Sequence, residues 1–201
     1  IRGAQLGLKV AVIERESLGG ICLNWGCIPT KSFLRSAEVL KIIECSEKYG
    51  IKSKLGDIDI REVVKRSRSI AKKLSSGVEY LLKKNKVEIF FGEASLKSSK
   101  SIQIKSKDNS INEITSKNIC IATGGRPREI SGVPNSSNIW FYKEALQVDK
   151  IPSKLLVVGS GAIGVEFASF FSQMGSDVCL LEAKPNILPN EDLEISNFVE
   201  K

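Results

Sequence analysis

Histidine is absent from the 201 residues, and methionine occurs only once. Chemistry that needs an imidazole base must therefore draw it from outside these residues. No run of about 18 apolar residues occurs, so no membrane-spanning helix is expected. Acidic residues are in deficit, 23 against 30 Lys and Arg, which leaves a net charge of +7. The surplus is scattered, with Lys65, Lys72, Lys73, Lys83 and Lys84 on polar faces of amphipathic segments. No basic stripe interleaves with aromatics, so no nucleic-acid partner is expected and the charge bears on solubility and steering. Cysteine numbers five, too few and too irregular for a secreted disulfide scaffold. A reducing compartment with one special pair fits better. The chain opens at Ile1 rather than Met and shows no signal or transit peptide, and the expectation is an internal piece of a longer polypeptide.

What is present fits an α/β protein of ordinary composition, 42% apolar and 26% charged. The length suits one large domain, or one domain and part of a second. The most informative stretch runs from Gly19 to Lys31: Gly-Gly-Ile-Cys-Leu-Asn-Trp-Gly-Cys-Ile-Pro-Thr-Lys. Cys22 and Cys27 share a Gly-rich loop, and apolar residues then recur at helical spacing through Phe33, Leu34, Ala37, Val39, Leu40 and Ile43. Cys27 is expected at a helix start, where Pro29 is tolerated. A thiolate there faces the positive end of the helix dipole, which lowers its pKa. Three uses of the pair compete: a structural disulfide, half of a zinc site, and a redox couple. Structural zinc needs four ligands, and there is neither a second Cys pair nor a His, so no metal is expected. A bridge over so short a loop adds little stability. The setting suits thiol–disulfide exchange. Cys45, Cys120 and Cys179 look solitary.

Along the chain, a helix tail with a stop at Gly7 precedes a buried strand, Lys9–Glu14. A terminal acid at Glu14 matches the ribose-binding position of a dinucleotide βαβ unit, whose Gly-rich loop would lie upstream of Ile1. Long helices are expected over 28–49 and 59–85, the second capped by Asp57 or Asp59. A strand covers Val87–Gly92, and Gly92-Glu93-Ala94 turns the chain. Residues 101–105 and 111–115 form a hairpin-like pair. Asn118–Ala122 reads as a buried strand running into a tight turn at Thr123-Gly124, and 131–153 as a crossover between domains.

The second motif follows. Strand Lys154–Val158 runs into Gly159-Ser160-Gly161-Ala162-Ile163-Gly164, then a helix, then strand Asp177–Leu181 ending in Glu182. This is a Gly-x-Gly-x-x-Gly unit in its full strand–helix–strand context. Gly159 makes the turn, Gly161 admits a pyrophosphate and Gly164 lets helix and strand pack. An acid at Glu182 accepts ribose hydroxyls and repels a 2′-phosphate, which favours NAD over NADP.

Residues 19–31 resemble the redox-disulfide signature of the pyridine nucleotide–disulfide oxidoreductases, and within them the lipoamide branch. The likeness takes in Glu14 and its strand, the dithiol helix, the turn at 122–124, and the second Gly motif through Asn186-Ile187-Leu188-Pro189. It implies an FAD-binding Rossmann-like domain over 1–148, with a small antiparallel insertion. The N-terminal βαβ part of an NAD-binding Rossmann-like domain would follow over 149–201. The family's first Gly-rich loop, the closing strand of the FAD domain and the dimer-interface domain would be absent from these residues.

The implied activity is oxidation of dihydrolipoyl groups with NAD⁺ through FAD. Cys22 would be the outer, exchanging thiol and Cys27 the inner one against the flavin. Lys31 would lie near the flavin, paired with Glu166, which would face the nicotinamide. Glu14, Gly19, Gly20, Cys22, Ala94, Thr123 and Gly124 would contact FAD. Gly159 to Gly164 (with Ser160, Ala162 and Ile163 as the intervening positions) and Glu182 would hold NAD. The implied partner is the lipoyl domain of a 2-oxoacid dehydrogenase acyltransferase, with a homodimer in the full-length protein. The implied compartment is the bacterial cytoplasm, or the mitochondrial matrix in a eukaryote. The 201 residues alone are expected to be inactive. The alternatives are a glutathione- or mercuric-reductase-like enzyme of the same family, which usually carries Val in several signature positions and basic residues where this chain has Glu182, or a non-catalytic nucleotide-binding fragment.

Overall fold

The computed structural model of the chain describes every residue except Glu129, Ser131 and Asn135. Helices and strands combine in a mixed α/β arrangement that divides into two units, residues 1–24 with 71–129 and residues 25–70 with 130–201.

In the first unit, helix α1 (Arg2–Gln5) ends before Gly7, whose φ of 85° stops it. Strand β1 (Ala11–Glu14) then pairs in parallel with β2 (Glu88–Phe91), with Ala11 opposite Glu88 and Glu14 opposite Phe91. Helix α2 (Gly20–Trp25) begins in this unit, and the C-terminal part of helix α4 (Ile60–Lys84) covers the sheet. Leu18, Leu82 and Val87 form the buried centre, with Val10, Val12, Val78 and Ile89 packed around them. An antiparallel sheet follows, in the order β3 (Glu93–Leu96), β4 (Ser101–Lys105), β5 (Ile111–Thr115).

Two expectations need correcting here. Residues 93–96 form a strand, so the expected pair is three-stranded. Glu93, Ala94 and Ser95 have weak β-propensity, and pairing with Ile102–Lys105 overrides it. Only Gly92 turns the chain, and a side chain there would meet the Lys105 carbonyl at 2.7 Å. Residues 118–122 form no strand, and Ile121 is 70% exposed. The run is apolar enough for a strand, but among the described residues no neighbouring strand receives its ladder.

In the second unit, helix α3 (Cys27–Glu44) is shorter than expected. A 3-10 turn over Ser46–Tyr49 follows it, and Gly50 closes that turn at φ 75°. Ser53 Oγ donates to the Ile43 carbonyl at 3.0 Å, satisfying one orphan acceptor of the helix end. Helix α4 starts where expected, with Asp59 Oδ1 accepting the Arg61 amide at 2.9 Å. Of the crossover expected over 131–153, Ser131 and Asn135 lie outside the described residues, and α5 (Tyr142–Ala145) falls within it.

Strands β6 (Lys154–Val158) and β7 (Asp177–Leu181) pair in parallel around helix α6 (Ala162–Gln173). Helix α7 (Leu193–Glu200), capped by Asp192, was not expected. The core joins Phe33, Ala37 and Leu40 of α3 to Phe167, Phe170 and Phe171 of α6, and the Phe33 and Phe170 rings lie 4.6 Å apart. Trp140 packs against this core, 6.2 Å from Phe171, whereas Phe141 is exposed. No helix among the described residues is long and apolar enough to cross a membrane.

Candidate functional site

Cys22 and Cys27 are disulfide-bonded, while Cys45, Cys120 and Cys179 are free, so the bond joins Cys22 to Cys27. A disulfide occupies both thiols and removes them from zinc ligation. Both cysteines lie at the surface. The stretch expected to be a loop is largely helical. Gly19 and Gly20, at φ 100° and 71°, turn the chain, and α2 begins at once. The buried Asn24 side chain donates to the Leu18 and Gly20 carbonyls, both at 2.9 Å, and ties that turn down. Gly26 is the cap of α3 and Cys27 its first residue, as the sequence predicts. The first helical bond runs from the Thr30 amide to the Gly26 carbonyl at 3.0 Å. Pro29 sits in the first turn, where no amide is needed.

Lys31 is one turn past Cys27 on the same helix, and its ammonium pairs with the Glu166 carboxylate of α6. The Lys31 side chain is 62% exposed and that of Glu166 26%, so the pair itself adds little stability. Helix α4 braces the start of α3 by contacts the sequence reading missed. The Ser67 hydroxyl donates to the Pro29 carbonyl at 3.2 Å, and Arg66 donates to Ser32. The Arg68 guanidinium lies over the Trp25 ring. Burial draws the Arg68 pKa below its usual value. The available signal was Ser67 itself, a hydroxyl residue in the apolar stripe that runs through Ile60, Val63, Val64 and Ile70.

The β6–α6–β7 unit has the geometry its motif predicts. Gly159 has φ 99° and its amide donates to the Leu181 carbonyl at 2.8 Å. A side chain at Gly164 would come within 1.9 Å of the Gly159 carbonyl, whereas one at Gly161 would meet nothing within 4 Å. Helix α6 therefore packs tightly on its strand and leaves open space beside Gly161. Its first turn has no side-chain cap, so its leading amides, beside Ala162 and Ile163, suit an anion.

Glu182 lies at the end of β7. Its Oε2 accepts the Ser160 amide at 2.9 Å and the Ser160 hydroxyl at 2.7 Å. Its Oε1 accepts the amides of Ala183 at 2.8 Å and Lys184 at 2.9 Å. These donors, the Ser160 hydroxyl first, push its pKa down to about 2.

The remaining candidates belong to the first unit. Glu14 ends β1; among the described residues its Oε1 accepts the Glu16 amide at 2.7 Å and its Oε2 accepts no hydrogen bond. Ala94 is on β3, while Thr123 and Gly124 are exposed outside any regular element, with Gly124 at φ 72°. The candidates thus fall into two groups. Glu14, Gly19, Gly20, Cys22, Ala94, Thr123 and Gly124 are in the first unit, and Cys27, Lys31, Glu166, Glu182 and residues 159–164 in the second.

The sequence pattern of the family described as "Pyridine nucleotide-disulphide oxidoreductase" matches residues 1–201. A dihydrolipoyl dehydrogenase of Zymomonas mobilis is 48% identical over 100% of this chain and 43% of its own length. One from Bacillus subtilis is 37% identical over 100% of this chain and 44% of its own. The crystal structure of LpdA from Mycobacterium tuberculosis resembles this fold with a TM-score of 0.86 at 25% identity, covering 96% of this chain and 42% of that one. The chain spans under half the length of these relatives. Matched from its first residue to its last, and carrying a disulfide between Cys22 and Cys27, the chain belongs to the pyridine nucleotide–disulphide oxidoreductase family.

Proposed function

We propose that this chain is the disulfide- and nucleotide-binding part of an enzyme that oxidises dihydrolipoyl groups with NAD⁺. The observation that carries the reading is the surface-exposed Cys22–Cys27 disulfide at the start of α3. Family membership implies a flavin and a pyridine nucleotide. FAD would be held within 1–148 and NAD by the unit that begins in 149–201. The residues fit both groups. Glu14 keeps a carboxylate oxygen for a ribose hydroxyl, and open space beside Gly161 at the α6 start suits a pyrophosphate. At Glu182 a ribose hydroxyl would take the place of the Ser160 hydroxyl.

In this reading a dihydrolipoyl thiolate attacks the Cys22 sulfur, the Cys22–Cys27 bond breaks, and Cys27 leaves as thiolate. The second dihydrolipoyl thiolate then attacks the lipoyl sulfur of the mixed disulfide and releases Cys22. The lipoyl group ends as a cyclic disulfide and the cysteine pair holds the two electrons. The α3 dipole favours the Cys27 thiolate, and the Lys31 ammonium, oriented by Glu166, adds positive charge one turn on. Bound flavin would supply the two-electron carrier between dithiol and nicotinamide.

The substrate would be a lipoyl domain of a 2-oxoacid dehydrogenase acyltransferase, and the full-length protein a homodimer. The relatives reported above are bacterial, which supports the cytoplasm. The test assays the full-length protein with dihydrolipoamide and NAD⁺ against oxidised glutathione and NADPH. NADH production with the first pair, lost to background in Cys22→Ser, is expected. Turnover of the second pair alone would overturn the substrate assignment, and undiminished activity in Cys22→Ser the role of the disulfide.

A further inference from the structure

Three consecutive residues of α4 bear on the segment that carries Cys27. Arg66 Nη1 donates to the Ser32 carbonyl at 3.1 Å and to its hydroxyl at 2.9 Å. Ser67, fully buried, donates to the carbonyl of Pro29. Arg68 Cζ lies 3.9 Å from the centre of the Trp25 ring, and Lys143 Nζ lies 5.4 Å from it. Arg68 Nη1 is buried, and no hydrogen-bond partner among the described residues reaches it, so the ring face is its compensation. The contacts thus grip the chain on both sides of Cys27: Trp25, the last residue of α2, before it, and Pro29 and Ser32 after it. None of them involves the Lys31–Glu166 pair or the glycine motif.

We propose that Arg66, Ser67 and Arg68 are positioning residues for Cys27, holding Trp25 and the first turn of α3 in one arrangement whether the disulfide is closed or open. The inference rests on the redox reading of Cys22 and Cys27. When the bond opens, the five-residue separation between the two sulfurs no longer constrains the chain. A start of α3 held by α4 keeps the Cys27 thiol at high effective concentration toward Cys22, which favours reclosure. A desolvated guanidinium over an indole is the stronger form of that contact, and the lowered Arg68 pKa marks the desolvation. A second effect has the opposite sign, because a cation that chiefly stabilised thiolate would favour the reduced pair. The direction of the potential shift therefore separates positioning from electrostatics.

The test equilibrates the full-length, flavin-loaded protein in dithiothreitol buffers, where dithiothreitol closes to its cyclic disulfide as it delivers two electrons and two protons to the pair. Thiols are trapped by alkylation, and the peptide bearing Cys22 and Cys27 is weighed. Arg68→Met is expected to lower the equilibrium constant for the protein disulfide about tenfold, raising its potential by about 30 mV. Arg68→Lys should reverse most of the shift, because a cation returns to the ring face that Arg68 covers. Trp25→Leu should reproduce the shift, and the double variant should add nothing further. If Arg68→Met fails to fold, Trp25→Leu carries the same expectation. An unchanged or lowered potential overturns the inference. A wild-type bond that never opens at any buffer ratio refutes the redox reading itself, and this inference with it.

Discussion

Four donors of the chain itself converge on one carboxylate at Glu182, and their effect is testable by pH. The folded pKa, about 2, lies below the ordinary 4.5. The stability it contributes is complete above pH 4.5 and is lost as pH falls through 2. Ser160→Ala removes the largest of these influences. Urea unfolding at several pH values should show the variant less stable at neutral pH, with the gap to wild type closing as pH approaches 2. A gap independent of pH would show that the hydroxyl acts through packing alone. Glu182→Gln should weaken NAD⁺ binding, measured by calorimetry, with FAD content unchanged; loss of FAD first would contradict the domain assignment. Glu182 itself was legible, because an acid at the end of the second strand has a position in the pattern. The role of Ser160 toward Glu182 was not, because Ser160 was read only as an intervening position of the glycine motif. Its hydroxyl acquires a partner only when β6 and β7 pair with Val158 opposite Leu181.

Elements with strong periodicity and a clear boundary signal were legible: α4 behind Asp59, the β4–β5 pair, and the whole β6–α6–β7 unit. Three misreadings share a cause, which is that the deciding contact is made with another part of the chain. Strand β3 is made by its ladder to β4, and 118–122 lacks such a ladder. Helix α2 depends on Asn24 reaching back to Leu18. Within the legible unit, two glycines separate fold from binding. Gly164→Ala puts a carbon 1.9 Å from the Gly159 carbonyl, whose residue is held by its bond to Leu181. Such overpacking typically costs about 1–3 kcal/mol, and this clash with backbone belongs at the upper end or beyond. Gly161→Ala meets nothing within 4 Å and leaves the fold intact. A melting temperature several degrees lower in Gly164→Ala, set against an unchanged one with weakened NAD⁺ binding in Gly161→Ala, is the expected pattern. Equal melting temperatures would contradict the packing argument, and undiminished binding in Gly161→Ala the pyrophosphate assignment.

Across the molecule, the parallel sheets described here have two strands each, β1 with β2 and β6 with β7. Sheets of that size are marginal unless other elements cover them. Helix α6 and the aromatic cluster it shares with α3 cover one face of β6–β7, through Leu155 and Val178. On the alternating positions Leu156 and Val158 are 58% and 57% exposed, and Phe198 of α7 is 79% exposed. Leu156 and Val158 share one face of β6, and exposed apolar surface of that kind drives association. The net charge of +7 opposes it only weakly, because the lysines are spread over the surface and screened within about 8 Å at physiological salt. The 201-residue polypeptide prepared alone should therefore bind an apolar dye and sediment as concentration-dependent oligomers, with no lipoamide turnover. Replacing Leu156 and Val158 by Thr, which keeps strand propensity while removing apolar surface, should reduce both dye binding and association. A monomer that binds no dye would mean that the β6–β7 face is not the adhesive surface, and a monomer that turned over dihydrolipoamide would contradict the expectation that these 201 residues, which hold no histidine, are inactive alone.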